Sequence, residues 1–184
     1  MLAHEAAYQL GLDRVLLMPT GEAPHKRIDP EPGPEVRLEL SRLAASDDEL
    51  LEASDLEVRR PGPSYTVRTL EELSEAGPDD ELFFLMGADV AAHLEQWREP
   101  ERIVELARLG IAGRPGTLLD EVEAALERLG AKVRAEVVRM PDIGVSSTRV
   151  RRRVAEGRPI RYLVPDRVAA MISERGLYRE AVRA

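Results

Sequence analysis

Apolar and polar residues follow two recurring patterns along this chain. Short continuous apolar runs are typical of strands buried in a parallel sheet, and they predict strands at residues 15–18, 51–60, 82–86, 109–112 and 133–138. Apolar residues spaced three or four apart predict helices at residues 4–12, 35–45, 65–75, 90–94, 100–107, 119–129, 147–156 and 165–174. The alternation predicts the α/β class, with a Rossmann-like, doubly wound parallel sheet in one domain over residues 1–184.

Composition and charge narrow the classes of function. Hydrophobic residues make up 43% of the 184, which is enough to build the core of one globular domain. The net charge of -8 disfavours binding to nucleic acid or to an anionic membrane, even though arginines cluster between residues 149 and 161. The chain has no cysteine, which excludes thiolate catalysis and fits the cytoplasm as the expected location.

Five loops follow predicted strands and are the expected ligand-binding loops. In a doubly wound sheet, ligands bind beyond the carboxyl ends of the strands. The loops concerned are residues 19–26, 60–66, 87–89, 114–116 and 143–148.

The loop that leads into the helix at residues 147–156 carries the strongest local signal. Ser146, Ser147 and Thr148 stand at the helix start, where unpaired backbone N–H groups and the helix dipole attract an anion. Arg151 adds a forked, permanently charged donor suited to phosphate oxygens. The alternative is a hydroxyl cap on a surface helix.

Other loops carry residues with matching chemistry and simpler alternatives. His25 and Lys26 supply donors for phosphate or form a solvated loop pair. Gly87 and Asp89 suit close approach to a ribose, or form a turn with a helix cap. Residues 63–66 are either an anion-binding helix start or a simple cap. Trp97, the single tryptophan, stands among polar residues, which favours stacking on a flat ring over a core position.

Several of these segments resemble the bacterial nicotinate-mononucleotide adenylyltransferases. The string PTGEAPHK at residues 19–26 is similar to one loop of that family, and RRPGPSYT at residues 59–66 is similar to its substrate loop. The resemblance extends over essentially the whole chain. It includes Gly87-Ala88-Asp89, Trp97, Arg114-Pro115-Gly116, SSTRVR at residues 146–151, IRYLVP at residues 160–165 and GLY at residues 176–178.

The resemblance implies adenylyl transfer from ATP to nicotinate mononucleotide, giving deamido-NAD and pyrophosphate. It implies that Mg²⁺ is carried mainly by the ATP phosphates, without a protein metal cage. ATP would contact Gly87, Asp89, Arg114, Ser146, Ser147, Thr148 and Arg151. The nicotinate mononucleotide would contact Ser64, Tyr65, Thr66 and Trp97, while His25, Lys26 and Arg151 would act on the phosphates. Oligomeric state, including a homo-oligomer, stays open.

One departure from the family pattern concerns the start of the chain. The family begins with a strand and a loop of the form GGxFDPxHxGH, whose histidines and amides hold the ATP phosphates; residues 1–5 match the helix that follows it. We expect a gene product that begins upstream, by roughly 20 residues. The alternatives are a genuine short chain that binds nucleotide without catalysis, and an adenylyltransferase of this fold acting on another phosphorylated acceptor.

Overall fold

The computed structural model describes residues 1–23, 32–113, 119–130, 134–141 and 144–179. Its contacts group the chain into two compact units, Met1–Val15 with Tyr65–Ile143 and Leu16–Ser64 with Gly144–Ala184. The single domain over residues 1–184 stays a prediction. Within the described ranges, no helix is both long enough and apolar enough to cross a membrane.

Helices and strands alternate over most of the described chain, as the hydrophobic pattern predicts. In chain order they are α1 (Leu2–Leu10), β1 (Val15–Leu17), α2 (Pro34–Ala45), β2 (Leu51–Ala53), α3 (Leu56–Arg59), α4 (Thr66–Ala76), β3 (Phe83–Gly87), α5 (Ala88–Ala91), a 3₁₀ turn (Leu94–Gln96), α6 (Pro100–Leu106), β4 (Arg108–Gly113), α7 (Leu119–Leu129), β5 (Ala135–Arg139), α8 (Ser147–Ala155) and α9 (Asp166–Glu174).

A three-stranded parallel sheet forms the centre of the first unit. Its order is β3-β4-β5, with Phe83 paired to Arg108 and Leu109 paired to Ala135. All three strands therefore end at the same edge, which confirms the predicted α/β class. The preceding helix α1 ends at Gly11, whose φ of 68° is the left-handed conformation that glycine adopts at low cost.

The core of the first unit lies around the middle strand of this sheet. Leu109 and Ile111 of β4 are almost fully buried, together with Leu94 of the 3₁₀ turn and Ile103 of α6. Val67 of α4 joins the same cluster. This packing fixes the starts of α4 and α5 relative to the sheet edge, because both helices contribute residues to one close-packed core.

The second unit contains a two-stranded sheet, β1-β2, and its own apolar cluster. Val150 of α8, Ile160, and Val168 and Ile172 of α9 form that cluster. An ion pair joins α9 to α2, where Arg175 donates to both carboxylate oxygens of Glu39 at 2.7 and 2.5 Å. Helix α8 is thus anchored by its apolar face, and its polar residues are left at the surface.

The prediction of one strand over residues 51–60 is wrong. The strand stops at Ala53, and α3 follows it at Leu56–Arg59. Ser54 accepts a hydrogen bond from the Leu56 N–H at 3.3 Å, and Asp55 forms an ion pair with Arg59 at 2.9 Å. Serine and aspartate both favour such local contacts over a sheet ladder, which explains why a helical turn replaces the second half of the strand.

The other predicted elements are confirmed with shifted ends. The helix predicted at residues 90–94 is observed as α5 and the 3₁₀ turn that follows it. The strand predicted at residues 133–138 is observed at Ala135–Arg139.

Candidate functional site

The carboxyl ends of two parallel strands present the first group of predicted site residues. β3 ends at Gly87, and its neighbour β4 ends at Gly113. Because α5 begins directly after β3, Asp89 lies in its first turn, where it is exposed. The Asp89 carboxylate lies over Gly87, since a methyl group on that glycine would come within 2.5 Å of Oδ1. A ligand at this edge can therefore meet both bare backbone and a carboxylate acceptor.

Tyr65 and Trp97 form an aromatic group in the same unit. Both rings are half-buried against the core, and Trp97 meets Phe84 edge to face, with ring centroids 5.9 Å apart. The guanidinium carbon of Arg98 lies 4.6 Å from the Tyr65 ring centroid. A hydrogen bond to the Glu99 carboxylate, and then one to Tyr65, raise the pKa of Arg98. Each ring thus offers an apolar face, and the guanidinium of Arg98 lies beside that of Tyr65.

Helix α4 begins beside this aromatic group. Tyr65 is the N-cap residue, and it makes no capping hydrogen bond through its side chain. The first turn of α4 carries no acidic residue, and Thr66, the first residue of the helix, is half-buried. Backbone N–H groups at such a start suit a carboxylate or phosphate oxygen, because the side chain of the N-cap residue does not cap them.

In the second unit, two of the motif loops are joined by hydrogen bonds. The Ser64 hydroxyl accepts from the Gly21 N–H at 3.1 Å, and the Ser64 N–H donates to the Glu22 carbonyl at 2.8 Å. Arg37 of α2 donates to the carbonyls of Thr20 and Gly21, at 2.5 and 3.1 Å. Ser64 is buried, so in this structure its hydroxyl positions the loop at residues 19–23.

Position 21 requires glycine, because neighbouring atoms pack closely against its Cα. A methyl group added to Gly21 would overlap the Glu57 carbonyl oxygen and would contact the Ser64 hydroxyl. Only glycine lets the two loops approach at this distance.

The start of α8 has both a hydroxyl cap and a polar surface that could meet an anion. Ser146 is the N-cap residue, and its hydroxyl accepts from the Arg149 N–H at 3.3 Å. Ser147 and Thr148 are exposed, and Arg151 donates to the Thr148 hydroxyl at 3.4 Å. The capping interpretation is therefore confirmed for Ser146. The hydroxyls of Ser147 and Thr148 still form one polar surface with the Arg151 guanidinium.

The predicted site residues divide between the two units. Gly87, Asp89, Tyr65, Thr66 and Trp97 belong to the first unit. The second unit contains the remaining described ones, which are Ser64, Ser146, Ser147, Thr148 and Arg151. His25, Lys26 and Arg114 lie outside the described residues. The assigned roles of all these residues stay predictions.

The structure identifies two further arginines at the candidate site that the sequence analysis did not single out. Arg37 joins the loop at residues 19–23 to α2, and Arg98 lies over Tyr65. No motif marks Arg37, since its importance depends on which carbonyls α2 faces. Arg98 could have been predicted from the sequence, because it directly follows Trp97, the single tryptophan.

The described residues contain no group of three or more acidic or histidine side chains arranged to hold a metal ion.

Comparisons with known proteins place the chain among nucleotide-transferring enzymes. The cytidylyltransferase-like family model matches residues 1–153. A probable nicotinate-nucleotide adenylyltransferase of Roseiflexus sp. (strain RS-1) is 44% identical over 178 residues, covering 97% of this chain and 89% of the relative. A protein of the same description from Thermus thermophilus is 42% identical over 179 residues, covering 97% of this chain and 90% of the relative.

Solved structures share the fold at lower sequence identity. A nicotinic acid mononucleotide adenylyltransferase of Plasmodium falciparum, complexed with APC, has a TM-score of 0.74 at 16% identity, covering 97% of this chain and 88% of that one. A putative nicotinate-nucleotide adenylyltransferase of Vibrio parahaemolyticus has a TM-score of 0.63 at 22% identity, covering 98% and 88%. At these identities the likeness shows the nucleotidyltransferase type of Rossmann-like fold.

Proposed function

Since the chain belongs to the nicotinate-nucleotide adenylyltransferases of the cytidylyltransferase-like family, we propose that it transfers the adenylyl group of ATP to nicotinate mononucleotide. The products are deamido-NAD and pyrophosphate, so the reaction belongs to NAD biosynthesis. The observation that carries the proposal is the start of α8, where the exposed hydroxyls of Ser147 and Thr148 adjoin the Arg151 guanidinium.

The reaction forms one bond and breaks another at a single phosphorus atom. A phosphate oxygen of nicotinate mononucleotide attacks the α-phosphorus of ATP in line, and the bond between that phosphorus and the bridging oxygen breaks. Pyrophosphate leaves with the electron pair of that bond. No covalent enzyme intermediate is required. The protein therefore contributes positioning and charge stabilisation.

The start of α8 supplies that charge stabilisation to ATP. Arg151 presents a planar fork of donors to phosphate oxygens, and the exposed Ser147 and Thr148 hydroxyls donate beside it. The backbone N–H groups and dipole at the helix start act in the same direction. Gly87, Asp89 and Arg114 are assigned to the nucleotide, and His25 and Lys26 to the phosphates.

The aromatic group of Tyr65 and Trp97 suits the nicotinate ring of the acceptor. Its flat apolar faces bind the ring, and the start of α4 at Thr66 offers N–H groups to the carboxylate. Arg98, over the Tyr65 ring, adds a positive charge that favours an acidic over a neutral pyridine. Ser64 contributes by holding its loop in place.

We assign Mg²⁺ to the substrate, bound as the complex of the ion with the ATP phosphates. Where the chain is described, it offers no acidic cluster that would hold the ion independently. The ion would neutralise the charge on the phosphates while Arg151 binds the same group.

The test is an acceptor panel with the purified chain. Pyrophosphate release from ATP is measured with nicotinate mononucleotide, nicotinamide mononucleotide and an unrelated phosphate monoester, and deamido-NAD is identified by chromatography. Binding is followed in parallel through the fluorescence of Trp97, the single tryptophan. We expect turnover with nicotinate mononucleotide and a saturable change in fluorescence. Absence of both responses, or faster turnover with the unrelated monoester, contradicts the proposal.

A further inference from the structure

A cleft of about 400 Å³ lies in the second unit between α8 and the segment that leads to α9. Arg149, Arg153 and Arg161 line it, together with Tyr162 and apolar residues that include Val150 and Leu163. Its volume falls in the usual range for small-molecule pockets. Nothing in the proposed adenylyl transfer uses this cleft.

The cleft faces away from the side of α8 assigned to ATP. At 3.6 residues per turn, positions 149 and 153 lie on one side of a helix, and position 151 is about 160° away from position 149. Neither Arg151 nor Ser147 nor Thr148 lines the cleft. The cleft and the proposed phosphate surface are therefore separate surfaces of one helix.

The three cleft arginines, like Arg151 on the other side of α8, have no acidic partner among the described residues. Among the described residues of this unit, six other arginines form ion pairs with carboxylates: Arg42, Arg59, Arg152, Arg158, Arg167 and Arg175. Within that same part of the chain, Arg149, Arg153 and Arg161 have no carboxylate at ion-pair distance. In a protein of net charge -8, such a group of unneutralised charges is a local site for anions.

Two of these guanidinium groups are held in place by backbone carbonyls. Arg153 donates through Nε and a terminal nitrogen to the Pro159 carbonyl, at 3.0 and 2.8 Å, and Arg149 donates to the Gly144 carbonyl. Each guanidinium has five donors, so further N–H groups are available to a ligand. The charges are thus positioned in advance, which lowers the entropy cost of binding.

Tyr162 adds an aromatic surface at the same cleft. Its side chain is 85% exposed, and its φ of 66° is in the left-handed region that is unfavourable for a bulky residue. The Arg161 guanidinium lies 5.1 Å from its ring centroid. A turn closed by the hydrogen bond from the Leu163 N–H to the Ile160 carbonyl, at 3.0 Å, holds Tyr162 in this conformation with its ring at the surface. Strain of this kind concentrates where a side chain is held for a ligand.

We propose that this cleft is a second, non-catalytic binding site for a nucleoside phosphate. The phosphates contact Arg149, Arg153 and Arg161, and the base lies against the exposed ring of Tyr162. The apolar lining accommodates the sugar and the edge of the base. Occupation of this site is independent of adenylyl transfer and does not depend on the proposed function.

The ring signals of the four tyrosines separate this site from the proposed acceptor site. The full chain is labelled with ¹³C-tyrosine, and Tyr162→Phe and Tyr65→Phe variants assign the two signals. ATP is titrated, with adenosine as the matched ligand that lacks phosphate. We expect a saturable shift of the Tyr162 signal with ATP and at least roughly tenfold weaker binding of adenosine, because charge-assisted hydrogen bonds are lost.

Three variants test the arginines. The double change Arg149→Gln and Arg153→Gln should weaken the ATP response of Tyr162 about tenfold, and Arg161→Gln several-fold. The Arg161 guanidinium, unlike those of Arg149 and Arg153, donates to no backbone carbonyl among the described residues, so its variant remains informative if the double variant unfolds. Arg167→Gln is the control, since that arginine pairs with Asp47 elsewhere in the unit. It should leave the response unchanged.

Several results would overturn the proposal. They are an unmoved Tyr162 signal at millimolar ATP, equal binding of adenosine, or an equal loss in the Arg167→Gln control. Loss of the Tyr162 response in Arg151→Gln would also overturn it, because the shift would then report the surface assigned to catalysis. A persistent Tyr162 shift without turnover would reject the proposed function and leave this site standing.

Discussion

Helices α4 and α8 begin with different side chains, and the contrast separates two kinds of anion site. The start of α4 has an aromatic N-cap residue, Tyr65, with Arg98 over its ring and no capping side chain. The start of α8 has the Ser146 cap, and two exposed hydroxyl residues follow it. The first arrangement combines aromatic faces with one guanidinium and backbone N–H groups, whereas the second combines exposed hydroxyls and a guanidinium with little apolar surface.

This difference matches the two reactants of the proposed reaction. A nicotinate ring gains from apolar contact and needs only one carboxylate to be recognised. A triphosphate carries several charges and gains most from arginine and hydroxyl donors. We therefore expect substitutions at the start of α8 to weaken ATP most, and substitutions in the aromatic group to weaken nicotinate mononucleotide most.

The largest expected effect is that of Arg151→Gln at the start of α8. Removal of the guanidinium should lower kcat/KM for ATP about a hundredfold, as for the loss of one well-placed donor to a developing charge. Binding of nicotinate mononucleotide, followed by Trp97 fluorescence, should change far less. The matched control is Arg152→Gln, because Arg152 is next in the chain but pairs with Glu156 at 3.8 Å. Equal losses of kcat/KM for ATP in both variants would contradict a specific role of Arg151 in binding the ATP phosphates.

In the aromatic group of Tyr65 and Trp97, Trp97→Ala should have the reverse selectivity. Loss of the stacking ring should weaken nicotinate mononucleotide by ~1–3 kcal/mol while ATP binding is largely kept. Isothermal titration of each ligand measures the two affinities. Trp97→Phe serves as the control, since a smaller ring still meets Phe84 and still offers a stacking face. A larger loss for ATP than for the mononucleotide would contradict the assignment of the aromatic group to the acceptor.

Arg98→Gln tests the charge beside the aromatic group. Because Arg98 is exposed, its removal should reduce the preference for nicotinate over nicotinamide mononucleotide by only about fivefold. The ratio of the two kcat/KM values is the measurement. Arg102→Gln is the control, because Arg102 is ion-paired with Glu105 at 2.9 Å, as Arg98 is with Glu99, but Arg98 is the one that lies over the Tyr65 ring. An unchanged ratio in Arg98→Gln would show that the charge does not select the acceptor.

Ser146→Ala separates capping from ligand binding at α8. Loss of the hydroxyl that accepts from the Arg149 N–H should lower the free energy of unfolding by about 1 kcal/mol. Ser147→Ala should leave the free energy of unfolding nearly unchanged, since Ser147 is exposed and is the first residue of the helix rather than its cap. Thermal or urea unfolding of both variants gives the comparison. A larger loss in Ser147→Ala than in Ser146→Ala would contradict the observed cap.

The hydrophobic pattern predicted the strand that ends at Gly87 in the first unit better than the segment at residues 51–60 in the second unit. The buried strand that ends at Gly87 is continuous and apolar, so its type follows from composition alone. The segment after Ala53 also has strand-like residues, but Ser54 and Asp55 form local hydrogen bonds and ion pairs that favour a turn of helix.

The limits at the candidate site have a similar physical origin. The polar start of α8 was visible because its residues are adjacent in sequence. The contacts of Arg37 with two carbonyls, and of Ser64 with Gly21, join segments distant along the chain, and no local pattern encodes them. Tyr162 in a left-handed conformation is likewise set by its surroundings, because tyrosine itself disfavours that backbone.

The smallest expected effect concerns the support of the Trp97 loop and depends on pH. Glu95, in the 3₁₀ turn before Trp97, has a pKa lowered from 4.5, chiefly by its hydrogen bond to Arg128 of α7. A lowered folded-state pKa means that the contribution to stability is present above pH 4.5 and is lost as the pH falls through the folded value. We therefore expect Glu95→Gln to differ from the parent in the free energy of unfolding near neutral pH, with the difference shrinking on acidification. Urea unfolding across that pH range measures it. Because Arg128 is exposed and Glu95 is only partly buried, the difference should stay below that of Ser146→Ala. A difference that grows as the pH falls would contradict the direction of the pKa shift.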